Sequence, residues 1–378
     1  MPAITLQIDI EETAYETPTE WRMLGAQGKS EHVVKLCKEN NIYPKRLLEV
    51  GAGDGAILRC LSEVNFCEEM HALEISKSGV EVILGQKIPR LMSCQIFDGY
   101  SLPFEDDYFD LIILSHVLEH VEFERALLRE LKRVSKFQVI EIPMDCNALK
   151  NENYYFLGPS YGHINAHTTD SLRFLLNTEG FLVLDDLLGQ YSLGLLEYDY
   201  FINNSHERTT DSAKQFKNDY QEQEASFEAL PRATQESRSS YYAVLTRKEL
   251  PEERLVRALK AVESSIATGQ LQAGRLIFDH YVPPSQIVRS ALRVAEVFSE
   301  TNPQVALEFI DKALTIESSD MAASALKDTI LQKLRNKPLA KEAIAQPQSY
   351  SSRLAFKNFV KKNFPMIARL ARTFRSGR

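Results

Sequence analysis

Disulfide frameworks and membrane spans are what this 378-residue sequence lacks. Its five cysteines, Cys37, Cys60, Cys67, Cys94 and Cys146, are odd in number and scattered without a C-x-x-C pair. Neither a disulfide scaffold nor a zinc ribbon is expected from them, and a reducing cytosol is. No apolar run approaches the roughly 18–20 uncharged residues that a membrane helix needs. The opening residues, Met1-Pro2-Ala3-Ile4-Thr5, carry no basic region ahead of an apolar core, so no signal peptide is expected. Acidic residues outnumber basic ones, 52 to 44, for a net charge of −8. Eight of the basic residues and no acid fall between Arg353 and Arg378, so the rest of the chain is more acidic than the whole. Such a body makes a poor partner for nucleic acid, and none is expected.

What is present is organised around Leu47-Leu48-Glu49-Val50-Gly51-Ala52-Gly53-Asp54-Gly55. A short apolar run, broken by one acid, enters three glycines at alternate positions. A helical pattern follows in Ile57, Leu58, Leu61 and Val64. The pattern predicts a buried parallel strand, a tight turn and a helix N-terminus. Glycines let backbone approach a ligand closely, and the helix start offers unpaired N–H groups. A nucleotide-like cofactor belongs at such a turn. Gly51-x-Gly53-x-x-Ala56 also satisfies the loose dinucleotide fingerprint, so the glycines alone leave a nicotinamide enzyme open.

The downstream residues are more specific. His71-Ala72-Leu73-Glu74-Ile75 reads as a second strand ending in an acid, and Gln95-Ile96-Phe97-Asp98-Gly99 as a third. Leu102-Pro103-Phe104 then leads through Phe109-Asp110 into Leu111-Ile112-Ile113-Leu114-Ser115-His116-Val117-Leu118-Glu119-His120-Val121. With these residues the chain resembles the class I S-adenosylmethionine-dependent methyltransferases over residues 30–248. The resemblance implies an α/β fold with a Rossmann-like, doubly wound sheet of seven strands whose last pair is antiparallel. Val139–Pro143 would be the fifth strand, and Gly180–Leu184 and Tyr241–Thr246 the final two.

It also implies site residues. Gly51, Gly53 and Gly55 would line the methionine part of S-adenosylmethionine, with Glu49 near its amino group. Glu74 would bind the ribose, Asp98 the adenine amino group with Gly99 beside it, and Ser115 and His116 would stand near the methyl donor and acceptor. His163, in the segment after the fifth strand, is a candidate general base, an acceptor-binding group or a cap of the helix starting near Thr169; His167 and Asp145 are further candidates. The pairs His116/His120 and His163/His167 sit four apart, but neither belongs to an H-E-x-x-H motif, so no zinc is expected. A divalent cation on Asp145 stays open.

Four regions follow. Residues 1–30 form an N-terminal lid segment, with Tyr15, Trp21 and Arg22 either covering the cofactor or serving as an ordinary hydrophobic anchor. Residues 31–248 form the catalytic domain, with a helical insertion at 190–238 that either shapes the substrate site or is a solvated excursion. Residues 249–345 read as all-α, and Pro303–Leu326 resembles one tetratricopeptide repeat, a candidate protein-binding region or a plain structural domain. Residues 346–378 are a linker and a basic amphipathic tail, whose 353–378 suit an anionic membrane surface. The expected activity is O-methylation of a sugar hydroxyl on a glycan or lipid-linked precursor, where Tyr154, Tyr155 and Tyr161 could stack on sugar faces. Protein or small-metabolite methylation, and a non-catalytic scaffold that binds the cofactor, are the alternatives. A cytoplasmic enzyme, peripheral on the inner membrane face, fits this reading.

Overall fold

The computed structural model of the protein describes residues 19–147, 153–160 and 162–336. Tyr15, Tyr161 and the expected linker and tail at 346–378 lie outside them. The chain divides into two compact units, residues 1–254 and 255–378.

The first unit is built on strands β1 (Arg46–Val50), β2 (Glu69–Glu74), β3 (Leu91–Ile96), β4 (Phe109–Ser115), β5 (Ser135–Pro143), β6 (Phe181–Gly189) and β7 (Tyr241–Lys248). They form one sheet in the order β3-β2-β1-β4-β5-β7-β6. β1 to β5 run parallel, and β7 lies between β5 and β6, antiparallel to both. The seven strands and the antiparallel last pair are as the sequence predicts. The third strand differs: it runs Leu91–Ile96 and ends before Asp98-Gly99, where Gly99 turns the backbone at φ +87°.

Alternation along each strand gives the sheet two apolar faces. Leu47, Leu111, Ile113, Val139, Ala243 and Leu245 point to one side, against α1 (Glu20–Glu39) and α2 (Ala56–Glu63). Leu48, Val50, Ile112, Leu114, Ile140 and Ile142 point to the other. After α3 (Lys77–Gly85), that second face is covered by α4 (Glu124–Val134), and after α5 (Tyr154–Ser160) by α6 (Thr169–Thr178). Leu127, Leu128, Leu131, Leu172 and Leu176 are fully buried there, each contributing about 1.5–3 kcal/mol of transfer free energy. Burial on both faces explains why β1 and β4 read as near-continuous apolar runs.

The insertion is helical: α7 (Leu193–Tyr198), α8 (Thr210–Glu228) and α9 (Arg232–Glu236). α8 starts from a capping box in which Thr209 and Ser212 satisfy each other's backbone N–H groups. The second unit packs α10 (Pro251–Ala267), α11 (Leu271–Tyr281), α12 (Ile287–Phe298), α13 (Pro303–Ile316) and α14 (Met321–Asn336) around one core that includes Val262, Phe278, Val294, Phe309 and Ile330. Among the described residues, no helix is long and apolar enough to cross a membrane.

Candidate functional site

The turn after β1 sets the site. Gly51, Gly53 and Gly55 take φ of +73°, +59° and +76°. A Cβ on Gly51 would be strained at that φ and would stand 2.6 Å from Val117 Cγ2. The N–H groups of Gly51 and Ala52 donate to Leu73 O at 2.8 and 3.1 Å, folding the turn onto the end of β2. Glu74 clamps it: Oε2 accepts from Gly53 N–H at 2.8 Å and Oε1 from Ser76 N–H at 3.0 Å.

Beside this turn opens a cleft of about 310 Å³. The turn itself, Ser115, His116 and Glu141 line it from the strand ends. Trp21, Arg22, Lys29 and His32 line it from α1, and Tyr191, Ser192 and Leu195 from the segment after β6. Glu49 also faces the cleft, 2% exposed, with Oε2 lacking a hydrogen-bond partner. Burial holds its carboxyl well above the ordinary range, against the pull of Lys29. An orphaned carboxylate beside exposed backbone of a glycine turn fits a ligand that brings its own cation. Burial likewise lowers the Lys29 ammonium, against the attraction of Glu141, Glu119, Glu49 and Asp54.

At the other end of the cleft lies a buried acid that the sequence reading missed. Glu141, on β5 and 2% exposed, accepts from His32 Nδ1 at 2.9 Å. His116 Nε2 stands 3.4 Å from its second oxygen. Burial works against the Glu141 charge, but hydrogen bonding to His116 and His32 holds its carboxyl below the usual range. His32 also stacks on Tyr241, ring centroids 3.9 Å apart. His116 itself has φ +55°, a left-handed conformation uncommon outside glycine. Burial, with Lys29 adding, pushes its imidazole down to about 4, so the ring is neutral near pH 7. The Ser115 hydroxyl is buried without a partner.

The other expected residues sit elsewhere. Gly55, Glu74, Asp98 and Gly99 do not line this cleft. Glu74 is 3% exposed and occupied with the turn's backbone. Asp98 is exposed, and its Oδ1 accepts from the N–H groups of Ser101 and Tyr100 at 2.6 and 2.8 Å, which lowers its pKa.

His163 and Asp145 meet, Nδ1 to Oδ2, at 2.5 Å. Burial pulls the His163 imidazole down, but the Asp145 hydrogen bond and charge outweigh it and the net direction is up. The helix beginning at Thr169 is capped by Thr168, in a capping box with Ser171, and not by His163. His167 pairs with Glu124 at 2.5 Å, away from Asp145.

Residues 48–138 match the family described as methyltransferase domain. Over 96 residues the chain is 31% identical to the malonyl-[acyl-carrier protein] O-methyltransferase of Halorhodospira halophila, a match covering 25% of this chain and 32% of that protein. It is 24% identical over 137 residues to the norajmaline N-methyltransferase of Rauvolfia serpentina, covering 33% of this chain and 47% of that one. The chain thus spans less than half the length of these curated relatives. Among solved structures, the magnesium protoporphyrin IX methyltransferase of Synechocystis PCC 6803 with bound SAH aligns at 16% identity and a TM-score of 0.37, over 47% of this chain and 84% of its own. By that match residues 48–138 are a methyltransferase domain, and its cofactor is S-adenosylmethionine.

Proposed function

We propose that the protein transfers the methyl group of S-adenosylmethionine to a hydroxyl oxygen, and that the acceptor is a sugar of a glycan or lipid-linked precursor. The observation that carries the oxygen acceptor is the 2.5 Å pairing of His163 with Asp145. A sulfonium methyl is already activated, so a hydroxyl acceptor chiefly needs alignment and a place for its proton. Asp145 holds the Nδ1–H of His163, leaving Nε2 as the proton acceptor. His116, neutral and set at φ +55°, would stand between the donor and acceptor sides.

The cofactor, when bound, supplies the electrophilic methyl group. Glu49, with its unpartnered buried oxygen, would face the ammonium, and the backbone of Gly51 and Gly53 the methionine part. Glu74 would act on the ribose through the turn that it clamps, and Asp98 and Gly99 would stand at the adenine.

The sugar acceptor rests on aromatic faces. Tyr155 and Phe156, 61% and 80% exposed on α5, precede His163 by less than ten residues and suit stacking on a pyranose. The test is transfer of labelled methyl to nucleotide-sugars and lipid-linked glycans by wild type, His163→Ala and Asp145→Asn. Sugar methylation lost in both variants is expected; methylation of amines alone would overturn the reading.

A second reading, capture of a protein-borne acceptor, is favoured by one feature of the helical unit. Arg275–Glu308, Asp279–Lys312 and Glu300–Lys333 are ion pairs each 33 residues apart in sequence. This is close to the tetratricopeptide period of about 34 residues.

A further inference from the structure

Glu119 is a buried carboxylate that the methyl-transfer reading leaves unused. It follows β4, is 2% exposed, and neither of its oxygens has a hydrogen-bond partner. Two histidines from separate segments come to it. His120 Nε2 lies 4.0 Å from Glu119 Oε1, and His163 packs edge-on against His120 with ring centroids 4.8 Å apart. One donor atom from each of Glu119, His120 and His163 can be chosen so that all lie within 4.8 Å of one another.

Both rings are held in the tautomer that a metal requires. His120 Nδ1 donates to Gly162 O at 3.0 Å and His163 Nδ1 donates to Asp145 Oδ2 at 2.5 Å, so each Nε2 keeps its lone pair. Such outer hydrogen bonds are the usual companions of metal-bound imidazoles. The backbone fixes the arrangement: Ile164 and Asn165 N–H donate to Glu119 O at 2.7 and 3.0 Å, and Asn165 Nδ2 donates to Leu118 O and Val121 O. The loop that carries His163 is therefore tied to the segment that carries Glu119 and His120.

We propose that Glu119, His120 and His163 bind a divalent transition-metal ion. Two imidazoles and a carboxylate suit zinc, manganese or iron over magnesium or calcium, which prefer all-oxygen sets. Bonds of about 2.0–2.2 Å place tetrahedral ligand atoms about 3.4 Å apart. Closing from 4.8 Å takes a modest rotation, which the half-exposed His120 can make. Three protein ligands leave coordination positions open, the pattern of catalytic sites. His116, which lines the cleft, has Nδ1 3.7 Å from Glu119 Oε1, so the ion would sit at the acceptor end of the cleft. There it would hold an acceptor oxygen and acidify its hydroxyl. His163 Nε2 cannot take a proton and bind the ion at once, so the ion would replace it as the group that makes a hydroxyl reactive. Binding of the ion does not depend on the acceptor; only that role does. The two histidine pairs weighed separately gave no reason to expect a metal, because the fold draws one member from each.

The test is titration of the chelator-treated full chain with Co²⁺, read by visible absorbance and calorimetry. The expected result is one ion per chain with a ligand-field band, lost in Glu119→Gln and in His120→Ala, and about 10–100-fold weaker in Asp145→Asn. His120 is half exposed, so its variant removes a ligand without opening the core. No saturable binding by wild type, or one ion per chain retained in either ligand variant, would overturn the site. S-adenosylhomocysteine titrated into the same samples separates the two claims: binding it without Co²⁺ removes only the ion, and binding Co²⁺ without it removes only the cofactor assignment.

Discussion

His32 on α1 and Glu141 on β5, 109 residues apart, share a hydrogen bond of 2.9 Å at the inner end of the cleft. The bond joins the helix that walls the cleft to the strand ends that floor it. Placement of the wall is thus an electrostatic matter as well as a hydrophobic one.

Replacing His32 with Ala leaves a buried oxygen of Glu141 without its donor. Loss of a hydrogen bond to a charged group costs about 1.5–3 kcal/mol. A lower urea midpoint is expected, with about tenfold weaker binding of S-adenosylhomocysteine by calorimetry. An unchanged midpoint would show that apolar packing alone seats the helix.

Gly51→Ala adds a methyl group where φ is +73° and Val117 Cγ2 is 2.6 Å away. Backbone strain of this kind costs about 1–3 kcal/mol, and the altered turn should lose the cofactor. Adding Val117→Ala removes the clash but not the strained φ, so melting temperature should recover only in part. Full recovery would place the whole penalty in the contact with Val117.

Glu49→Gln should separate stability from binding. The folded-state pKa of Glu49 is raised by burial. The native protein therefore holds a proton that the unfolded chain releases at about pH 4.3, and stability falls as pH rises from there through the folded pKa. Gln removes that loss, so the ligand-free variant should be more stable than wild type at the upper end of the window. Cofactor affinity should drop because the cation loses its counter-charge. Wild-type affinity in the variant would exclude Glu49 from the ammonium site.

The basic tail has an independent test. Full-length protein should co-sediment with anionic vesicles, and a chain ending at Ser352 should not. Equal sedimentation would remove the membrane from the account.

The parts of the fold legible in sequence are those in which local pattern and tertiary need agree. β1 and β4 are buried on both faces and so carry near-continuous apolar residues, and the glycines after β1 sit at positive φ because the turn demands it. The sequence pattern sets β3 too far along because it is an edge strand with a mixed burial pattern, and Phe97, beyond its end, supplies the apolar residue that extends the pattern. Glu141 was visible as an acid inside Val139–Pro143, an anomaly in a buried strand. Its partners were not, since His32 and His116 reach it only once the sheet has formed. The pairing of His163 with Asp145 joins two residues that the sequence singles out, whereas nothing in the sequence around Glu119 marks its carboxylate as buried.

β6 has no neighbour in the sheet except β7, and β7 is the last of these seven strands to leave the ribosome. Until Tyr241–Lys248 inserts beside β5, β6 must wait unpaired, and His32 has no Tyr241 to stack on. The wall helix, synthesised before the seven strands, is therefore completed by the last of them. A nascent chain halted in the insertion would expose the long edge of β5 and lack a finished cleft, a state open to wrong pairing. Competence to bind the cofactor thus reports on synthesis of the whole first unit, and a ligand that captures the finished cleft would also act as a pharmacological chaperone for it.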